Sequence, residues 1–87
     1  MQEFIIAYDI KDKKRIAKLS RLLEKVGVRI EYSLFFVKAS KDEMIEIAMK
    51  INEIINTQAD DVRIYKIKEY GIALGRADLL DLICIIR

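Results

Sequence analysis

Val28-Arg29-Ile30-Glu31-Tyr32-Ser33-Leu34-Phe35-Phe36-Val37-Lys38-Ala39 is the stretch on which the fold turns. β-branched and aromatic side chains dominate it, so it is extended. It makes either one long strand or two short strands with a tight bend at Tyr32-Ser33. The bend lacks Gly or Asn-Gly, so local turn chemistry leaves both readings open.

Upstream, Glu3 to Ile10 reads as a strand that is apolar on both faces. Phe4, Ile6, Tyr8 and Ile10 share one face, Ile5 and Ala7 the other, and Asp9 ends the second. From Asp12 the period becomes helical. Ile16, Leu19, Leu22, Leu23 and Val26 line one side, and Gly27 stands as the C-terminal stop. Downstream, Ser40 and Glu43 are spaced as a capping box. Met44, Ile47, Ala48, Ile51, Ile54 and Ile55 form the apolar face of a second helix. Thr57 to Asp61 is a polar break, Asp61 to Lys68 a further strand, Tyr70 to Ala77 a loop, and Leu79 to Arg87 a last strand.

The order is β–α–β(β)–α–β–β. Splitting residues 28–39 gives an α+β, ferredoxin-like βαββαβ domain with an extra C-terminal strand. Its antiparallel sheet then carries two helices on one face. The other face is uncovered, yet the first and last strands are apolar on both sides. In one domain of 87 residues, a second copy is the economical cover, and a homodimer is expected.

Composition excludes several chemistries. There is no histidine and a single cysteine, Cys84, which reads as a small core residue. A catalytic triad, a zinc finger and a disulfide framework are therefore absent. No glycine-rich phosphate loop occurs. No signal peptide or membrane-length apolar run is seen, so a soluble, cytoplasmic protein without membrane contact is expected.

Residues 1–39 hold nine basic and five acidic side chains, and residues 40–87 hold seven and nine. The basic first helix is either a phosphate-binding surface or an ordinary solvated face, and helix spacing alone favours the second. Asp9 is either a hydrogen-bonded strand end or a hard-cation ligand, the former being the commoner case. If two uncovered faces meet near a two-fold axis, two Asp9 carboxylates approach, and a divalent cation would relieve their repulsion. Tyr8, Tyr32, Phe35, Phe36 and Tyr65 read as core or interface, and Ser33 lacks an adjacent base.

Tyr8-Asp9-Ile10, a basic helix with Arg15, Gly27, Arg29-Ile30-Glu31-Tyr32-Ser33-Leu34-Phe35 and Val62-Arg63-Ile64-Tyr65 together resemble the CRISPR-associated protein 2 family, over about residues 3–68. The resemblance implies a homodimer of ferredoxin-like chains whose C-terminal strand, residues 79–87, pairs with the partner's sheet. It implies a metal-dependent endonuclease of single-stranded RNA or duplex DNA, acting in spacer acquisition beside integrase subunits. Asp9 is then the catalytic residue and ligand of Mg²⁺ or Mn²⁺. Tyr8, Arg15, Arg29, Ser33 and Phe35 fall on the family's other motif positions, and with Lys18 they form the expected nucleic-acid-binding set. Glu31 stands where the motif usually has glutamine. Phe36 to Ala39 replaces the acidic, glycine-containing stretch that usually follows.

The rival readings are an inert DNA-binding scaffold between integrase subunits, a toxin-like ribonuclease on the same fold, and a small-molecule regulatory domain.

Overall fold

The computed structural model describes residues 1–67 and the backbone of 83–86. The elements are β1 (Gln2–Asp9), α1 (Lys13–Val26), β2 (Gly27–Glu31), β3 (Leu34–Ala39), α2 (Lys41–Ile54), β4 (Asp61–Ile67) and β5 (Ile83–Ile86). The sheet order is β2-β3-β1-β4-β5, and every pairing is antiparallel. This is the expected ferredoxin-like plan with one strand added at the β4 edge. The expected loop at 70–77, the outer residues of the expected last strand and the side chain of Cys84 lie outside the described residues.

β1 is central because both its faces are apolar. Phe4, Ile6 and Tyr8 sit opposite Val37 and Phe35 on one side and Ile64 and Val62 on the other. These residues share the core with Leu19 and Leu23 of α1 and Met44, Ile47 and Ile51 of α2. Both helices therefore cover one face. By the same register, Ile5, Ala7, Leu34, Phe36 and Tyr65 lie on the face away from the helices. Val28, opposite Phe36 on that face, is 65% exposed.

Residues 28–39 split into β2 and β3 through a turn at Tyr32-Ser33. No described residue has a positive φ, so this turn is not one whose twist matches a hairpin. A register shift between Arg29 and Glu31 absorbs the mismatch. Tertiary bonds then fix the bend. The Tyr32 carbonyl accepts from the Tyr8 hydroxyl at 3.2 Å and from the Arg29 guanidinium, and the Ser33 carbonyl accepts from the Tyr8 amide at 3.1 Å.

Gly27 caps the C-terminal end of α1, as the sequence suggests, though not in a left-handed conformation. Its backbone is extended (φ −158°, ψ −165°), and it opens β2 directly. A Cβ there would collide with the Phe36 carbonyl oxygen and lie 2.7 Å from Val37 Cγ2. The glycine is needed for close approach to β3, not for backbone freedom.

β5 lies on β4 of the same chain, Ile64 opposite Ile86 and Ile67 opposite Ile83. A strand of the same chain satisfies the backbone groups of that edge just as a partner's strand would.

Candidate functional site

The uncovered face ends at Asp9, the last residue of β1. Its side chain is 72% exposed, and Oδ2 lies 3.4 Å from Lys11 Nζ. Directly across the β1–β4 ladder stands Asp61, whose carboxylate accepts from Arg63 Nε at 3.0 Å. Two like charges placed opposite each other repel, and each has recruited its own cation two residues along. Among the described residues, no group of three or more Asp, Glu, Cys or His is spaced to hold a metal ion. Asp9 and Asp61 thus set two carboxylates side by side at this end of the sheet.

Beside them is a third carboxylate, Asp60, whose side chain is fully buried. Arg15 donates to it from Nε at 2.7 Å and from Nη2 at 3.1 Å. The amides of Asn56 and Lys11 donate at 2.9 and 3.0 Å. The guanidinium is the main cause that holds the Asp60 carboxyl well below the usual carboxylate range, against burial, which pushes it up. In turn, the bond to Asp60 raises Arg15 above its ordinary value. Because the folded pKa is depressed, this stabilisation is present above the unfolded carboxylate pKa of about 3.9 and is lost as pH falls below it. Urea unfolding midpoints of the parent chain should therefore drop more on going from about pH 7 to about pH 3 than those of Asp60→Asn. Parallel drops would contradict this account of Asp60.

The expected nucleic-acid-binding residues divide into two groups. Tyr8 and Phe35 are core residues, 7% and 0% exposed, with ring centroids 6.3 Å apart. Their rings are turned into the core and present no face to solvent. The Tyr8 hydroxyl bonds Ser20 of α1 at 3.1 Å as well as the Tyr32 carbonyl, so it ties helix, central strand and turn together. Arg15 is likewise engaged by Asp60. Arg29 lies over the Phe35 ring at 4.7 Å and donates to Glu24 at 3.2 Å. Its bonds and ring contact keep it against the hairpin. Ser33 is half-buried and contributes its carbonyl to the turn. These side chains build the hairpin rather than present it.

Lys18 is exposed, and it is one of a row. Lys14, Lys18, Arg21 and Lys25 follow i, i+4, i+7, i+11 spacing along α1, an exposed stripe about 16 Å long. None of the four forms an ion pair among the described residues. Their apolar counterparts Leu19 and Leu23 are fully buried. The helix begins at Asp12, whose side chain accepts from the Arg15 amide at 3.0 Å.

Sequence reasoning did not single out Asp60 or Asp61. Both fall in a polar break, and only the β1–β4 register reveals that one faces Asp9 and the other caps the chain beside it.

Residues 1–73 match the family described as CRISPR associated protein Cas2. CRISPR-associated endoribonuclease Cas2 3 of Synechocystis is 34% identical over 76 residues, which is 87% of this chain and 80% of that protein. A hypothetical protein of Thermus thermophilus, TT1823, superposes with a TM-score of 0.77 at 27% identity, covering 85% of this chain and 90% of the other. A chain of a partial Cas6-RT-Cas1–Cas2 complex superposes with a TM-score of 0.76 at 32% identity, covering 87% and 83%. With the family match running through most of its length, this chain belongs to the CRISPR associated protein Cas2 family.

Proposed function

We propose that the chain is an endonuclease of CRISPR adaptation that works as a homodimer with a divalent cation, Mg²⁺ or Mn²⁺, held at Asp9. The observation that carries this reading is the place of Asp9. It is an exposed carboxylate at the end of the one sheet face that neither described helix covers. The Synechocystis relative, named an endoribonuclease, supports the reaction class. The relative in the Cas1–Cas2 complex supports integrase subunits as partners.

The residues present fit a hard cation that keeps most of its water. Mg²⁺ is commonly held by one or two carboxylates with substrate phosphate completing the shell. Asp9 supplies one, and a second copy of the chain would supply its twin. When bound, the cation would stabilise charge on the scissile phosphate and acidify water. Asp9 orients it, Asp61 adds negative potential across the ladder, and Lys11 and Arg63 stand ready to meet phosphate oxygens. With no histidine in the chain, no imidazole shares the proton transfer.

Dimerisation through the uncovered face would bury exposed Val28 and the half-buried Phe36 and Tyr65. Each large apolar side chain moved out of water there contributes roughly 1.5–3 kcal/mol. Exchange of residues 79–87 between the two β4 edges is part of this proposal. Sedimentation at micromolar concentration should give a dimer, and truncation after Asp78 should give aggregate or unstable monomer. A well-folded monomer of the intact chain would overturn it.

The lysine stripe is the proposed nucleic-acid surface. Binding to duplex DNA should weaken with salt at a log–log slope of about −0.9 per phosphate contact. Replacing Lys14, Lys18 and Arg21 by Gln should flatten that slope by roughly two to three units and leave melting almost unchanged. An unchanged slope would leave α1 as a solvated face.

A scaffold role without cleavage is the second reading. It is favoured by the inward engagement of Tyr8, Arg15 and Phe35, which strengthens the domain and leaves them out of chemistry. It expects spacer acquisition to survive Asp9→Ala and to fail when the dimer or the α1 stripe is damaged.

A further inference from the structure

We propose that Asp60 is a positioning residue for Asp9, an inference that rests on the nuclease reading of Asp9. Asp9 is the last residue of β1, and the chain must leave the sheet within three residues to start α1 at Lys13. Strand pairing fixes this stretch on one side, through the Asp9–Asp61 register. On the other side, Asp60 Oδ1 accepts the Lys11 amide at 3.0 Å. Ile10, between these two anchors, is buried at 7%. The backbone that carries the Asp9 carboxylate is thus held at both ends, and Lys11 is kept within 3.4 Å of it.

Asp60 is itself immobilised. Its amide donates to the Asn56 carbonyl at 2.8 Å, its Oδ2 accepts from the Asn56 amide, and Arg15 grips both carboxylate oxygens. The Asn56–Asp60 turn therefore transmits the position of α2 and β4 to the β1–α1 connection. A simple surface ion pair would need none of the amide bonds. Four donors converging on one buried carboxylate fit a device that sets the place of a loop.

The test compares the full-length chain with Asp60→Asn and Asp60→Glu, beside Asp9→Ala. Single-stranded RNA with Mg²⁺ and with Mn²⁺ is the substrate. Asn keeps the shape but replaces an acceptor by a donor against Arg15 and Asn56. Glu keeps the charge and displaces the carboxylate by one methylene, so at least one variant should fold. In each folded variant kcat should fall about 10²-fold at unchanged KM, as expected for a catalytic group displaced by about 1 Å. The Lys11 amide should exchange its hydrogen faster, read by NMR without metal or substrate. A structural role alone would lower melting temperature and leave kcat of the folded chain unchanged. Wild-type kcat in a folded Asp60 variant, with Asp9→Ala inactive, overturns the positioning role. An undisturbed Lys11 amide overturns it as well. Wild-type cleavage by Asp9→Ala overturns the nuclease reading and the positioning role with it.

Discussion

Asp9→Ala is expected to lose cleavage of RNA and of duplex DNA by at least about 10²–10³-fold, while remaining folded and dimeric. The side chain is 72% exposed and makes one bond, to Lys11, so its removal costs the fold little. It also relieves the repulsion with Asp61 across the ladder, so melting should hold steady or rise slightly. The large effect is on chemistry, because Asp61 and Asp60 at that end are each engaged by an arginine and Asp9 is not. Labelled substrates incubated with Mg²⁺, with Mn²⁺ and with EDTA read the result. Cleavage surviving in the variant would remove Asp9 from the reaction.

Phe35→Ala should produce the largest loss of stability, about 3–5 kcal/mol. Phe35 has no exposed surface, packs beside Tyr8 and carries the Arg29 guanidinium on its ring. Such a loss is a large fraction of the roughly 5–15 kcal/mol that holds a domain folded. Urea melts of both chains at equal protein concentration measure it, since stability of a dimer depends on concentration. Phe35→Leu should recover much of the loss and bind nucleic acid like the parent chain. A Phe35→Ala chain that melts normally and fails only in binding would return Phe35 to the nucleic-acid surface.

Much of this architecture is legible in the residues. The helical spacing of Leu19 and Leu23 places them in the core, and both are fully buried. The Ser40–Glu43 spacing announces a reciprocal cap, and both bonds form, at 3.1 and 2.8 Å. The apolar residues on both faces of β1 mark a central strand, and it lies between β3 and β4. Other features depend on parts of the chain far from where they act. The bend at Tyr32-Ser33 is held by Tyr8 and Arg29, so no local signal reveals it. Gly27 is legible as the stop of α1, but the close approach of Phe36 in the neighbouring strand that demands a glycine is not. Asp61 faces Asp9 only through a register that composition does not specify. Tyr8 and Phe35 teach the opposite lesson. Their chemistry alone assigns them to the core, the family motif assigns them to the nucleic-acid surface, and their burial agrees with the chemistry. Motif positions that hold a hairpin together recur for the sake of the fold as readily as for a ligand.

The proposed chemistry centres on a single cation shared by two Asp9 carboxylates across a dimer. Calorimetric titration of the purified protein with Mn²⁺, beside Asp9→Ala, tests it most directly. One ion for every two chains is expected, with loss of that binding in the variant. One ion per chain, or binding unchanged by Asp9→Ala, would contradict it.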